Sequence, residues 1–276
     1  MPPGEEFKRF EHAGWERAAP HYEACWASLT SHFVSPLIQA AAVGRGQRVL
    51  DVACGPGLVS EAASRLGAVT TGLDFSRRMV LRARERHPQL EFLEGDAERL
   101  PFDGAGFDAV LMNFGVPHLA RPEEALREAL RVLRPGGRFA FTVWADPKDN
   151  PGARIMSEAI DTHADLRVDL PEGPPRYPLS DAHQCREALA TAGADPTSFA
   201  FVSLTAAWRV PTPSFLFEAE RDGGVRTAGV LARQTAERLA AIRSAVERAV
   251  AQHAVPGGFA IPMTAHVVSA APVRRG

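Results

Sequence analysis

Cysteine is scarce in this chain of 276 residues: Cys25, Cys54 and Cys185 stand far apart. An odd, scattered set at no metal-ligand spacing gives no disulfide framework and no metal site to expect, and it fits a reducing compartment. Lysine is scarcer still, with Lys8 and Lys148 alone. Charge of one sign is also missing. A formal net charge of −2 offers no general attraction to nucleic acid or to an anionic membrane. No apolar run is long enough to span a bilayer. The acidic start, Met-Pro-Pro-Gly-Glu-Glu, lacks an apolar core, so no signal peptide is expected. The expectation is a cytoplasmic protein, monomer or homodimer, with no nucleic-acid partner, no membrane and no metal. What is present is globular: 45% hydrophobic and 23% charged residues, enough for one large domain or a domain with a substantial insertion.

Val49-Leu50-Asp51-Val52-Ala53-Cys54-Gly55-Pro56-Gly57 is the most informative stretch. An apolar run ends in an acid, breaks into small residues and leads into a helical segment at 58–66. That order predicts a buried strand, a tight turn and a helix N-terminus. Gly55 and Gly57 have no Cβ, so backbone can approach a ligand closely and take positive φ. The helix N-terminus aims unpaired N–H groups at the loop.

Around it the chain alternates. Residues 5–43 read as helical, with Trp15, Ala18, Tyr22 and Trp26 at three- and four-residue steps. Strands are expected at 49–52, 69–73, 90–93, 108–112 and 138–144. Helices are expected between them at 58–66, 76–86 and 122–133. This spacing predicts a mostly parallel sheet with helices on both faces, a doubly wound, Rossmann-like α/β fold. The alternation fails after Trp144. Two late strand patterns, 199–210 and 257–273, flank a helical stretch at 212–254, which predicts a closing antiparallel hairpin with a helical cap inserted. The expected division is 1–44 as an N-terminal helical cap, 45–145 as the cofactor-binding core, and 146–276 as the last strands with cap insertions at 146–195 and 212–254. Seven strands are expected in all.

Three acids fall at the carboxyl ends of the first three strands: Asp51, Asp74 and Asp96. Ligands of open α/β sheets bind outside those ends, at the topological switch point. Asp74 follows Gly57 by 17 residues, where a dinucleotide fold places its ribose-binding acid. A carboxylate there accepts from both ribose hydroxyls. Asp96 stands where an adenine edge would lie. His118, six residues past the fourth strand, is the first candidate for a general base, and His21 on the N-terminal helix the second. Surface or packing roles remain open for both.

These residues carry a resemblance. With Gly72-Leu73-Asp74-Phe75-Ser76, Met79, Gly95-Asp96-Ala97-Glu98, Phe107-Asp108 and Arg131-Val132-Leu133-Arg134-Pro135-Gly136-Gly137, the chain resembles class I S-adenosylmethionine-dependent methyltransferases. The branch is the one similar to ubiquinone and menaquinone C-methyltransferases. The resemblance covers about residues 45–145, with Ala53 where many members have glycine. It implies S-adenosylmethionine as cofactor, with the Asp51–Gly57 turn at its methionine part and Asp74 at its ribose. Phe75 and Met79 would flank adenine, and Asp96 and Ala97 would meet its amine edge. Asn113, Phe114 and Gly115 would face the sulfonium, and Tyr22 would close over the cofactor. Periodicity alone suits core packing of Phe75 and Met79 equally.

In-line methyl transfer needs a positioned nucleophile and exclusion of water more than it needs acid–base groups. The expected function is methyl transfer to an O, N or C atom of a small-molecule acceptor in a biosynthetic pathway. Trp26, His118 and Arg226, the last after the flexible Gly223-Gly224 pair, are the candidate acceptor contacts. Two alternatives stand. One is an NAD(P)-dependent oxidoreductase, favoured by the glycine pair followed by Asp74 and disfavoured by the absence of a Tyr-x-x-x-Lys pair. The other is a methyltransferase-like protein, a cyclase or regulator, that binds the cofactor without transfer.

Overall fold

Short β-branched and leucine-rich segments form the centre of the protein, in a computed structural model that describes residues 4–273. Residues 1–3, the start of the acidic N-terminal stretch, and 274–276 lie outside the described residues. The strands are β1 (Arg48–Val52), β2 (Val69–Asp74), β3 (Glu91–Glu94), β4 (Phe107–Asn113), β5 (Leu133–Trp144), β6 (Ala200–Val210), the two-residue β7 (Ala254–Val255) and β8 (Gly258–Ala270). Their order in the sheet is β3-β2-β1-β4-β5-β8-β6, with β7 attached to β8. β1 to β5 run parallel, while β8 is antiparallel to both β5 and β6. The expected doubly wound sheet with a terminal antiparallel hairpin is therefore present, with the small β7 added to the seven strands.

The helices are α1 (Glu5–Tyr22), α2 (Ser28–Thr30), α3 (Val34–Ala40), α4 (Leu58–Arg65), α5 (Arg77–Arg86), α6 (Pro122–Arg131), α7 (Pro151–His163), α8 (Ala182–Ala192), α9 (Phe215–Gly223), α10 (Arg226–Leu231) and α11 (Ala236–Ala251). α3 and α4 cover one face of the parallel strands, burying Leu37, Val49, Ala63 and Leu111 together. α6 and α8 cover the other, where Leu50, Val110, Leu126, Phe139 and Leu189 pack. A third cluster joins the cap helices to the hairpin through Phe33, Ile155, Trp208, Phe217, Ile242 and Met263. Full burial of such side chains supplies about 1.5–3 kcal/mol each.

One boundary differs from the sequence reading. α6 stops at Arg131, and Leu133–Trp144 is one strand rather than a helix end followed by a strand. Phe107 pairs with Leu133 but Ala109 with Arg138, so Arg134-Pro135-Gly136-Gly137 form a bulge in β5, with Gly136 at φ +83. The positive φ of Gly136 lets the chain bulge there without leaving the sheet.

α1 lies across the carboxyl ends of β2 and β3 and is bound there by charge. Lys8 Nζ pairs with Asp96 at 2.5 Å and Glu98 at 2.8 Å. Glu16 accepts from Ser76 Oγ at 2.6 Å and from Arg78 N at 3.1 Å, and Glu23, in the π-helical turn Glu23–Ala27, pairs with Arg82 and Arg86. Arginines of α5 thus dock α1 and the turn that follows it.

Candidate active site

The chain order reverses between β1 and β4, and the main cavity opens at that switch point. Its volume is about 180 Å³. Two walls differ in character. Ala53, Gly55, Asp74, Phe75, Met79, Asn113 and Gly115, from the strand ends, form one. Trp26, Tyr177, Arg176 and Glu220, from the cap, and Trp144, from the end of β5, form the other, and Tyr22, Phe114 and His118 stand between.

The strand ends are bent sharply. Ala53 leaves β1 at φ +54 and Phe114 leaves β4 at φ +59. Left-handed conformations at non-glycine residues cost roughly 1–3 kcal/mol each and collect at functional sites. They turn the chain abruptly off the sheet and open the space that the cavity occupies. Gly115 makes the turn possible, since a Cβ there would meet Met112 Cγ at 2.7 Å and Ala53 Cβ at 2.8 Å. Gly55, at φ +52, has no atom within 4 Å of its own missing Cβ and borders open space.

Asp74 is 5% exposed and lines the cavity. Its two carboxylate oxygens accept from Gly55 N and Ser76 N, each at 2.9 Å. Each oxygen keeps a lone pair, so the group has capacity for two more donors. Burial raises its pKa to about 6 against those backbone bonds. Asp51 is different. It is 1% exposed and stands off the cavity wall. One oxygen accepts from Ser60 N and Ser60 Oγ, fixing the first turn of α4, and the other has no hydrogen bond. Burial, with Asp74 adding, pushes it to about 7. Burial first, then Asp74 and Asp51, also hold the Tyr22 hydroxyl above its usual value, against its bond to Thr30.

Ser76 caps α5 by accepting from Met79 N, which sets Phe75 and Met79 on the wall. Asn113 and the Phe114 N–H are both tied to Thr142 Oγ1, at 2.6 and 2.8 Å. Phe114 stacks on Trp144 at 4.0 Å and Trp26 on Trp208 at 5.3 Å. His118 lies edge-on to Trp15, and its Nδ1 is 2.9 Å from Glu11 Oε2.

Several expected residues lie elsewhere. Asp96 borders a shallow depression on the other side of Phe75, with its carboxylate held by Lys8. Ala97 is buried in the core and Gly57 caps α4 at φ +88, neither on the cavity wall. His21 is exposed and away from it. Arg226 does line the cavity, but its guanidinium donates to the carbonyls of Pro174 and Pro175 and stacks over Phe7. Glu11, Arg176, Tyr177 and Glu220 were not foreseen. Sequence gave no sign of them because they come from α1, α9 and an irregular segment whose approach only tertiary packing decides. Among the described residues, no group of three or more His, Cys, Asp or Glu side chains is placed to hold a metal ion.

Known proteins share this fold. The methyltransferase-domain family matches residues 50–141, the span that builds the strand-end wall. A demethylmenaquinone methyltransferase of Renibacterium salmoninarum is 38% identical over 45% of this chain and 52% of its own. A malonyl-(acyl-carrier protein) O-methyltransferase of Enterobacter lignolyticus is 31% identical over 70% of this chain and 82% of its own. The chain belongs to the class I S-adenosylmethionine-dependent methyltransferases. It spans about half the length of the demethylmenaquinone methyltransferases it matches. Among solved structures, the YcgJ protein of Bacillus subtilis aligns with a TM-score of 0.58 at 18% identity, over 89% of this chain and 99% of its own. A phosphoethanolamine N-methyltransferase of Haemonchus contortus, solved with S-adenosylhomocysteine, also gives 0.58 at 18% identity, over 97% of this chain and 60% of its own. At that identity the likeness is of fold. Membership of this family sets the oxidoreductase alternative aside. The family's cofactor is S-adenosylmethionine, and the residues present fit it: a buried acid with two spare acceptor sites, open backbone at Gly55, and apolar Phe75 and Met79 on the same wall.

Proposed function

We propose that this protein transfers a methyl group from S-adenosylmethionine to an O, N or C atom of a small molecule, in a cytoplasmic biosynthetic pathway. The observation that carries the reading is the continuity of the cavity. A wall suited to adenosine and methionine and a chamber walled by Trp26, Phe114, Trp144 and Tyr177 share one space. Residues 1–44 and the insertions at 146–195 and 212–254 form a cap that closes this chamber over the strand ends at Phe114 and Trp144. An acceptor that fits inside it is a small molecule rather than a nucleic acid, in keeping with the formal charge of −2.

When bound, the cofactor supplies a methyl carbon activated by a positively charged sulfur. Asp74 accepts from the ribose hydroxyls, Phe75 and Met79 flank the adenine, and the Asp51–Gly57 turn with Tyr22 holds the methionine part. Asp96, already paired with Lys8, contributes less at the adenine edge. Asn113, Phe114 and Gly115 present rigid backbone towards the transfer point, since Thr142 fixes two of them. The aromatic chamber orients the acceptor and excludes water. His118 takes the proton from an acceptor that arrives protonated; exposed His21 has no access to it.

Calorimetry decides the reading. S-adenosylmethionine and S-adenosylhomocysteine should each bind saturably with one site per chain, and NADH should give no heat. Binding of NADH without either sulfur compound would overturn it.

A further inference from the structure

His118 and Glu11 belong to different parts of the chain, and the cavity brings them together. His118 sits in the short 3-10 turn after β4, inside the matched methyltransferase domain, whereas Glu11 sits on α1, outside it. Glu11 is fully buried, 0% exposed, on a helix whose other acids are exposed or half-buried. A buried carboxylate with no partner is costly, so its neighbours matter. One oxygen contacts His118 Nδ1 at 2.9 Å; the other makes no hydrogen bond and faces Arg226 Nε at 3.8 Å. Arg226 is in turn anchored by the Pro174 and Pro175 carbonyls.

We propose that Glu11 is a positioning residue: it holds His118 with the proton on Nδ1, leaving the Nε2 lone pair to take a proton from an acceptor O–H or acidic C–H in the cavity. The inference rests on the methyl-transfer reading above and adds the acceptor class, a nucleophile that arrives protonated. A carboxylate can only accept, so the ring nitrogen that meets it must carry the hydrogen. His118 lines the cavity, and Nε2 is its remaining polar atom. The flat, conjugated walls at Phe114 and Trp144 suit an aromatic or enolic hydroxyl compound. In the step, the acceptor's X–H electron pair forms the X–CH₃ bond, and the S–CH₃ bond breaks with its pair on sulfur. The proton goes to Nε2. The resulting imidazolium stands against Glu11, with Asp74 on its cavity side as the other acid in electrostatic reach. Arg226 Nε, 3.8 Å from the far oxygen, is the cation that faces Glu11 from the other side. Because Glu11 is on α1, the base is correctly set only when that helix is docked.

The test is the ¹⁵N spectrum of the neutral His118 ring in the full-length protein, assigned by its loss in His118→Gln. The wild type should show Nδ1 at a protonated, pyrrole-type position and Nε2 at an unprotonated, pyridine-type position. Glu11→Ala should reverse the two, since a solvated imidazole favours the Nε2–H form. Glu11→Gln, which keeps a carbonyl acceptor, should retain the wild-type pattern. S-adenosylhomocysteine affinity, measured on the same samples, should change less than threefold in both variants, so that loss of cofactor binding is read separately. If Glu11→Ala does not fold, the wild-type spectrum still decides: Nε2–H in the wild-type ring overturns the proposal. So does an Nδ1–H pattern that persists in folded Glu11→Ala.

Discussion

Replacing Asp74 by asparagine separates what this residue does for the cofactor from what it does for the fold. The carboxylate now accepts Gly55 N and Ser76 N at 2.9 Å each and offers two further acceptor sites to the cavity. In Asp74→Asn one oxygen becomes an NH₂ group facing a backbone N–H. One acceptor site for a ribose hydroxyl is lost and the other becomes neutral. A hydrogen bond to a charged group contributes about 1.5–3 kcal/mol. The expected weakening of S-adenosylhomocysteine binding is therefore about 3 kcal/mol, roughly a hundredfold in Kd. The fold responds differently. Burial holds Asp74 at about 6, up from 3.8, so above pH 6 its ionisation costs the folded protein on the order of 3 kcal/mol at 1.36 kcal/mol per unit. Asparagine removes that cost and gives up one backbone bond, so the thermal midpoint of the ligand-free protein at pH 7.5 should stay close to wild type. Titration calorimetry and a thermal melt on the same sample read both quantities. An unchanged Kd would refute the ribose assignment. A fall in affinity that only tracks a fall in stability would reduce Asp74 to a strut for the Gly55 turn.

Three further outcomes are expected. Asp51 is raised from 3.8 to about 7, so its contribution is fully present below the unfolded value and is lost as pH rises through about 7. The ligand-free protein should lose about 2 kcal/mol between pH 5.5 and 8, and Asp51→Asn should flatten that slope in denaturant titrations at several pH values. Gly115→Val places a side chain where even a Cβ would lie 2.7–2.8 Å from Met112 and Ala53. Overpacking of this kind costs roughly 1–3 kcal/mol, and because Ala53 is already strained the same variant should bind S-adenosylhomocysteine at least tenfold more weakly by calorimetry. Arg226→Ala removes the donors to Pro174 and Pro175, so hydrogen exchange across 165–181 should accelerate while exchange in β1 to β5 does not change.

The parallel half of the sheet was readable because each strand is a short apolar run closed by an acid or a glycine. Such runs bury on both faces and leave few alternatives. Asp74, Phe75 and Met79 were readable for the same reason: they follow a strand end at fixed spacing, and the Ser76 cap sets their direction. Asp51 was legible as important but not in its placement. Its side chain turns inward to Ser60 rather than to the cavity, a choice made by the α4 cap. The bulge at Arg134–Gly137 was read as a helix end because proline and glycine serve both. Least legible was the cap wall. Glu11 carries no signal in the sequence, because only the docking of α1 against α5, α9 and Arg226 buries it. Arg226, the candidate acceptor contact, does line the cavity, but its bonds to two carbonyls come from a proline-rich segment with no periodic pattern. Ala53 is a further case. Its φ of +54 is a conformation that glycine adopts without strain, and nothing in its own side chain announces it.

The most direct test of the account is a crystal structure of the protein with S-adenosylhomocysteine. The account predicts the ribose hydroxyls on Asp74, the adenine between Phe75 and Met79, and the sulfur beside Asn113–Gly115, facing the chamber of Trp26 and Trp144. Adenosine seated in the shallow depression by Lys8 and Asp96, or in the aromatic chamber itself, would contradict it.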